Sequence, residues 1–143
     1  VAALVDTNVL VYRFDARDSR KQRIAADLIR DGLKNDSLRV SHQALVEFYA
    51  VVTRPIRGYG PLLEHEEALR EIEEMFAQYD VLFPNEAVVL TALRGVVAYQ
   101  LPWYDAHLWA YAEVYGLAEL ISEDFQHGRI YGTVRAVDPF KRA

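Results

Sequence analysis

A chain of 143 residues suits one domain around a single core, and 52% apolar residues are enough to fill that core. The net charge of −5 excludes a general attraction to nucleic acid, so nucleic-acid chemistry would have to rest on a local site. The absence of cysteine excludes disulfides, thiolate zinc sites and a thiol nucleophile. No apolar run approaches the roughly 18 residues of a membrane span. The start, Val1-Ala2-Ala3-Leu4-Val5, lacks the length and basic flank of a signal peptide. The expected location is the cytoplasm, with no membrane partner.

In chain order, Ala2–Val5 is a short apolar run ending at Asp6, as a buried strand would be. Ser19 precedes Ile24, Ala25, Leu28, Ile29 and Leu33, spaced for one helix face, with Gly32 near the end. Leu38–Ser41 reads as a second strand, followed by a helix from Gln43 to Thr53. Arg54-Pro55 ends that helix, and Gly58-Tyr59-Gly60-Pro61 is a turn. An acidic amphipathic helix is expected over Leu62–Tyr79 and a third strand over Asp80–Phe83, stopped by Pro84. Asn85 is placed to cap a helix running to Tyr99. After Pro102 a helix is expected from Tyr104 to Tyr115, closed by Gly116. Leu117–Ser122 reads as a fourth strand and Arg135–Val137 as a fifth. Strands alternating with helices imply an α/β fold, a mainly parallel sheet of four to five strands between helical layers, as one domain over residues 1–143.

In such a fold the ligand site lies outside the carboxyl ends of the strands. Asp6 ends strand one, and Glu47 lies in the early turns of the helix leaving strand two. Asp105 starts a helix that returns antiparallel to the strands, so it stands at their carboxyl edge, and Asp124 follows strand four. Four acids far apart in sequence thus reach one edge. At an effective dielectric of ~20 and ~5 Å, each carboxylate pair costs on the order of 3 kcal/mol. Such a cluster takes up protons or recruits a cation. Oxygen donors without His or Cys favour Mg²⁺ or Mn²⁺ over zinc, and hard cations of that kind promote phosphodiester hydrolysis. Each acid alone has a plainer role: a cap at Asp6, a solvated helix face at Glu47, a helix-dipole partner at Asp105, a loop acid at Asp124.

Leu4-Val5-Asp6-Thr7-Asn8-Val9-Leu10, Glu47, Tyr104-Asp105-Ala106 and Ser122-Glu123-Asp124-Phe125 together resemble the PIN-domain nucleases. Ser122-Glu123-Asp124-Phe125-Gln126-His127-Gly128, with Tyr131-Gly132 and Val137-Asp138-Pro139-Phe140, is similar to the VapC toxins of toxin–antitoxin pairs. The resemblance spans nearly the whole chain. It implies a PIN-like three-layer α/β/α sandwich and a Mg²⁺- or Mn²⁺-dependent endoribonuclease that blocks translation. It implies Asp6, Glu47, Asp105 and Asp124 as the acidic quartet, with Asp6, Asp105 and Asp124 holding metal. Thr7 and Ser122 match small hydroxyl positions that orient carboxylates or water, and Asn8 is a further supporting residue. Either Glu123 or Asp124 could face the metal, and motif position favours Asp124. RNA as substrate, a cognate antitoxin and a toxin homodimer are the partners implied.

Other residues carry weaker signals. His107, two positions past Asp105, is turned roughly 200° away on a helix, which favours a core or surface role. Arg13, Arg20, Lys21, Arg54 and Arg57 are candidates for a phosphate-binding rim, though scattered solvated charge explains them as well. Trp103, Tyr104 and Trp109 are candidates for base stacking, with Trp109 and Tyr111 better explained as core or interface. His127 is a loop histidine near Arg129. The alternatives are a housekeeping nuclease in RNA processing, a structure-specific DNA nuclease, or a catalytically idle protein-binding module. A phosphoacceptor receiver would need an acid ending strand three, where this chain has Phe83-Pro84, and a dehalogenase-like phosphatase would need Asp-x-Asp where it has Asp6-Thr7-Asn8.

Overall fold

The computed structural model describes residues 2–141. In chain order these form β1 (Ala3–Val5), α1 (Thr7–Tyr12), α2 (Ser19–Lys34), β2 (Leu38–Ser41), α3 (His42–Val52), α4 (His65–Gln78), β3 (Asp80–Leu82), α5 (Glu86–Tyr99), α6 (Trp103–Val114), β4 (Glu119–Ile121), β5 (Ile130–Tyr131) and β6 (Val134–Val137). One six-stranded sheet has the order β3-β2-β1-β4-β6-β5. All pairings are parallel except β5 with β6.

Side-chain alternation along the strands divides the interior into two layers. Ala3 and Val5 face a core shared with Val9, Ile29, Phe48 and Met75, from helices α1 to α4. Leu4 faces the other way, into a core with Val88, Trp109, Leu120 and Val134 that α5 and α6 cover. Helices therefore flank the sheet on both faces, as parallel strands require for burial.

Local chemistry sets the helix ends. Ser41 accepts the Ala44 amide at 3.0 Å and starts α3 directly from β2. Asn85 accepts the Val88 amide at 2.9 Å and starts α5, as expected. Gly116, at φ 70°, closes α6 in the left-handed conformation that favours glycine.

Three expectations shift. The segment after Asp6 is a helix of six residues, under two turns and too short for its apolar run Val9-Leu10-Val11 to announce by periodicity. Helix α4 begins at His65 rather than Leu62, because the Glu64 amide donates to the Glu67 carboxylate at 3.0 Å and fixes the first turn there. The sheet has six strands rather than four to five, since the two-residue β5 pairs back onto β6.

Candidate active site

Strand order fixes where a site can form. β1 lies between β2 and β4, and the chain leaves these strands toward opposite flanks of the sheet. The resulting crevice at the carboxyl ends is where open α/β sheets bind ligands. Asp6 follows β1 there and is the N-cap of α1, accepting the Thr7 amide at 2.6 Å. Only 6% of it is exposed.

A polar network ties the acids to one another. Ser122, fully buried after β4, donates to Asp6 Oδ2 at 2.6 Å and accepts the Asp124 amide at 3.0 Å. Asn8 Nδ2 donates to Asp6 Oδ2 at 3.1 Å and to Asp124 Oδ2 at 3.0 Å, bridging the first and last acids of the sequence. Thr7 Oγ1 donates to Glu47 Oε2 at 3.2 Å, joining α1 to α3. Gln43 Nε2 donates to Glu47 Oε1 at 2.7 Å and to the Tyr104 carbonyl at 3.1 Å, joining α3 to the start of α6. Asp105 enters the cavity from that start. The cavity, about 260 Å³, is lined by Asp6, Glu47, Asp105 and Asp124, with Asn8 and Tyr104 beside them. All four predicted acids are thus brought to one place, together with the three predicted supporting residues.

The electrostatics follow from burial and crowding. Desolvation pushes the Asp6 carboxyl up to about 7, with the negative charges of Asp124 and Glu47 adding to it and the Ser122 hydroxyl opposing it. Burial raises the Asp105 carboxyl as well, followed by the charges of Asp124 and Glu47. Asn8 Oδ1 is buried and without a hydrogen-bond partner. Among the described residues no three acid or histidine side chains form a ready-made metal cage. The donor set nonetheless suits a hard divalent cation: every candidate ligand is oxygen, and the raised Asp6 carboxyl marks a place where added positive charge lowers the energy.

Other predicted residues lie elsewhere. Glu123 turns from the cavity, accepting from Tyr12 Oη at 2.7 Å and from Lys21 Nζ at 2.7 Å. His107 bonds through Nδ1 to the Trp103 carbonyl at 2.9 Å and does not line the cavity. His127 Nδ1 accepts the Asp138 amide at 3.0 Å, a loop role. Among the proposed rim cations, Lys21 pairs with Glu123, Arg13 approaches Glu71 at 3.8 Å, and Arg20 donates to the Phe140 carbonyl. Trp109 and Tyr111 are core residues, whereas Tyr104 stands 71% exposed at the cavity. Gln43 and Tyr12 were not singled out from the sequence. A polar residue four positions before Glu47 on the same helix face was the signal for Gln43.

The sequence matches the PIN-domain family model over residues 3–132. The chain belongs to the PIN-domain family. This PIN domain has a toxin–antitoxin complex from Klebsiella pneumoniae among its structural neighbours, at TM-score 0.68 and 18% identity, covering 96% of this chain and 98% of that one. A DNA-bound VapBC from Salmonella typhimurium superposes at TM-score 0.67 and 16% identity, covering 97% and 98%. VapC20 of Mycobacterium tuberculosis, described as a toxin cleaving the sarcin-ricin loop, gives TM-score 0.61 and 18% identity over 83% and 87%. At such identities the likeness is one of fold. No curated protein sequence matches the chain.

Proposed function

We propose that this PIN domain, one nuclease unit over residues 1–143, is the toxin of a toxin–antitoxin pair. Its activity is Mg²⁺- or Mn²⁺-dependent endoribonuclease cleavage that stops translation in the cytoplasm. The observation that carries the reading is the buried Asp6, wired through Ser122 and Asn8 to Asp124 in one cavity with Glu47 and Asp105. The fold neighbours, a toxin–antitoxin complex and a toxin described as cleaving the sarcin-ricin loop, support it. Among the described residues no helix is long and apolar enough to cross a membrane.

Asp6, Asp105 and Asp124 would hold the divalent ion. When bound, it supplies positive charge toward a phosphodiester and makes water a better nucleophile. The chain's own residues prepare for this. Ser122 and the Thr7 amide fix both oxygens of Asp6. Thr7 and Gln43 hold one oxygen each of Glu47, which leaves that carboxylate oriented to take a proton from water. Tyr104, exposed beside the acids, offers a face on which an unpaired base stacks. An antitoxin would silence the site by placing a cation among these carboxylates, and a second copy of the chain would complete the complex.

The test is cleavage of RNA by the purified protein. Activity with Mn²⁺ or Mg²⁺, lost in EDTA, and products with 5′-phosphate and 3′-hydroxyl ends are expected. Undiminished cleavage in EDTA, or cyclic phosphate ends from attack by the RNA 2′-hydroxyl, would refute the mechanism. Coexpression with the adjacent small open reading frame should yield a tight, less active complex. A chain harmless when expressed alone and indifferent to its neighbours' products would instead be a housekeeping nuclease.

A further inference from the structure

Glu123 and Asp124 are adjacent, yet only Asp124 lines the acidic cavity. Glu123 is engaged on both oxygens: Oε1 accepts from Tyr12 Oη at 2.7 Å and Oε2 from Lys21 Nζ at 2.7 Å. The Lys21 ammonium also donates to Tyr12 Oη at 3.3 Å, closing a three-residue ring of hydrogen bonds. It lies 4.9 Å from the Tyr12 ring centre and 5.3 Å from that of Phe140, within cation–π range of both. Tyr12 and Phe140 pack edge to face at 5.0 Å, and Phe140 is 5% exposed. The ion pair is sheltered, with side-chain exposures of 27% for Lys21 and 22% for Glu123. With Tyr12 it ties the consecutive helices α1 and α2 to the loop after β4, more than a hundred residues further along the chain.

Asp124 is placed differently. It is exposed, and its carboxylate meets Asn8 as the side-chain partner on the cavity side. The position of its carboxylate therefore depends on the backbone of residues 122–124. Ser122 holds that backbone from one side, and Glu123 holds it from the other.

We infer that Glu123 is a positioning residue: clamped by Lys21 and Tyr12, it latches the Asp124 loop onto α1 and α2 and sets how tightly the cavity binds a divalent cation. This rests on the metal-dependent reading above. The latch orders the loop that presents Asp124. Unlike the cavity acids, Glu123 is paired with a lysine and does not line the cavity.

The test measures Mn²⁺ binding to the purified full chain, without RNA, from the electron paramagnetic resonance signal of unbound Mn²⁺. Lys21→Met and Glu123→Gln should each weaken Mn²⁺ binding about tenfold, the lower end of what losing a ligand-orienting partner costs. The double variant should be no weaker than either single one, since both remove the same interaction. Lys21→Arg should keep most of the affinity, which a loss of packing alone would not restore. Tyr12→Phe, which keeps the ring and its packing, should weaken binding less than Lys21→Met. It also carries the test if thermal unfolding in EDTA shows Lys21→Met to be misfolded. Wild-type affinity in Lys21→Met and Tyr12→Phe would overturn the latch alone. Loss in Glu123→Gln as deep as in Asp124→Asn, with Lys21→Met unaffected, would make Glu123 a ligand and also overturn it. A wild-type chain that binds no Mn²⁺ would overturn the nuclease reading, and the latch's role with it.

Discussion

Asp6 and Trp109 are buried to nearly the same depth, 6% and 4% exposed, and their surroundings are opposite in kind. Around Trp109 every demand is met. Its Nε1 donates to the Tyr131 carbonyl at 2.9 Å, Tyr99 packs on it edge to face at 5.5 Å, and Gly95 lets α5 approach the ring. Around Asp6 demands are left open: burial and then the neighbouring carboxylates raise its carboxyl to about 7, and Asn8 Oδ1 has no partner. Equal burial thus stabilises one region and burdens the other. The acidic edge is sustained by packing elsewhere, a pattern expected where structure is given over to chemistry.

The strongest way to separate the two regions is through catalysis. Asp105→Asn should lower RNA cleavage by at least about a hundredfold, beyond the usual cost of losing an outer-shell partner, with circular dichroism unchanged. Full activity in that variant would remove Asp105 from the site.

Stability comes next, and pH sharpens the contrast. In metal-free protein the Asp6 carboxyl is raised from 3.8 to about 7, so between these values the folded state holds a proton that the unfolded state has released. Stability should therefore fall as pH rises through that window, by on the order of a few kcal/mol. Asp105 works in the same direction. Asp15 acts below this window: the hydrogen bond from Arg17 holds its carboxyl under the usual range, so its contribution is lost only on stronger acidification. Urea unfolding in EDTA at pH 5 and 8 reads the carboxyls of the acidic edge, and Asp6→Asn should flatten the difference. Its amide oxygen still serves the Thr7 amide, and a turned Asn8 amide brings its orphaned oxygen into play. An unchanged pH slope in Asp6→Asn would dismiss the buried Asp6 carboxyl as the cause.

The packed region should break by sterics alone. A Cβ on Gly95 would stand 2.6 Å from Trp109 Cζ3. Gly95→Ala should cost about 1–3 kcal/mol, reduced by alanine's better helix propensity, and leave Mn²⁺ affinity untouched. The smallest effect belongs to His107→Ala. That side chain bonds the Trp103 carbonyl one turn back, and its loss should leave cleavage near wild type and shift stability by about 0.5 kcal/mol or less.

The strands and long helices were legible because apolar spacing and turn residues mark them locally. Asp6, Glu47, Asp105 and Asp124 were legible because parallel topology sends strand ends and returning helix starts to one edge. Helix α1 was hidden by its length, and β5 by having only two residues. The roles of Glu123 and Lys21 were hidden for another reason. Their contact joins positions 102 residues apart, and a lysine in an amphipathic helix carries no local mark of its partner. Arg13, Arg20 and Lys21 read as a loose rim in sequence because charge identity does not reveal which ions are already matched.

The central position of β1 has a consequence for the order in which the site is assembled. β1 and β2 can pair as soon as both have left the ribosome, but β4, on the other side of β1, comes from residues 119–121. Ser122 and Asp124, which complete the network around Asp6, arrive after it. A growing chain therefore carries three of its four acids without the fourth, and with the first missing its buried hydroxyl partner. Pairing across so long a separation is slow relative to local folding. The network around Asp6 is therefore complete only once residues past 124 have emerged and closed the sheet.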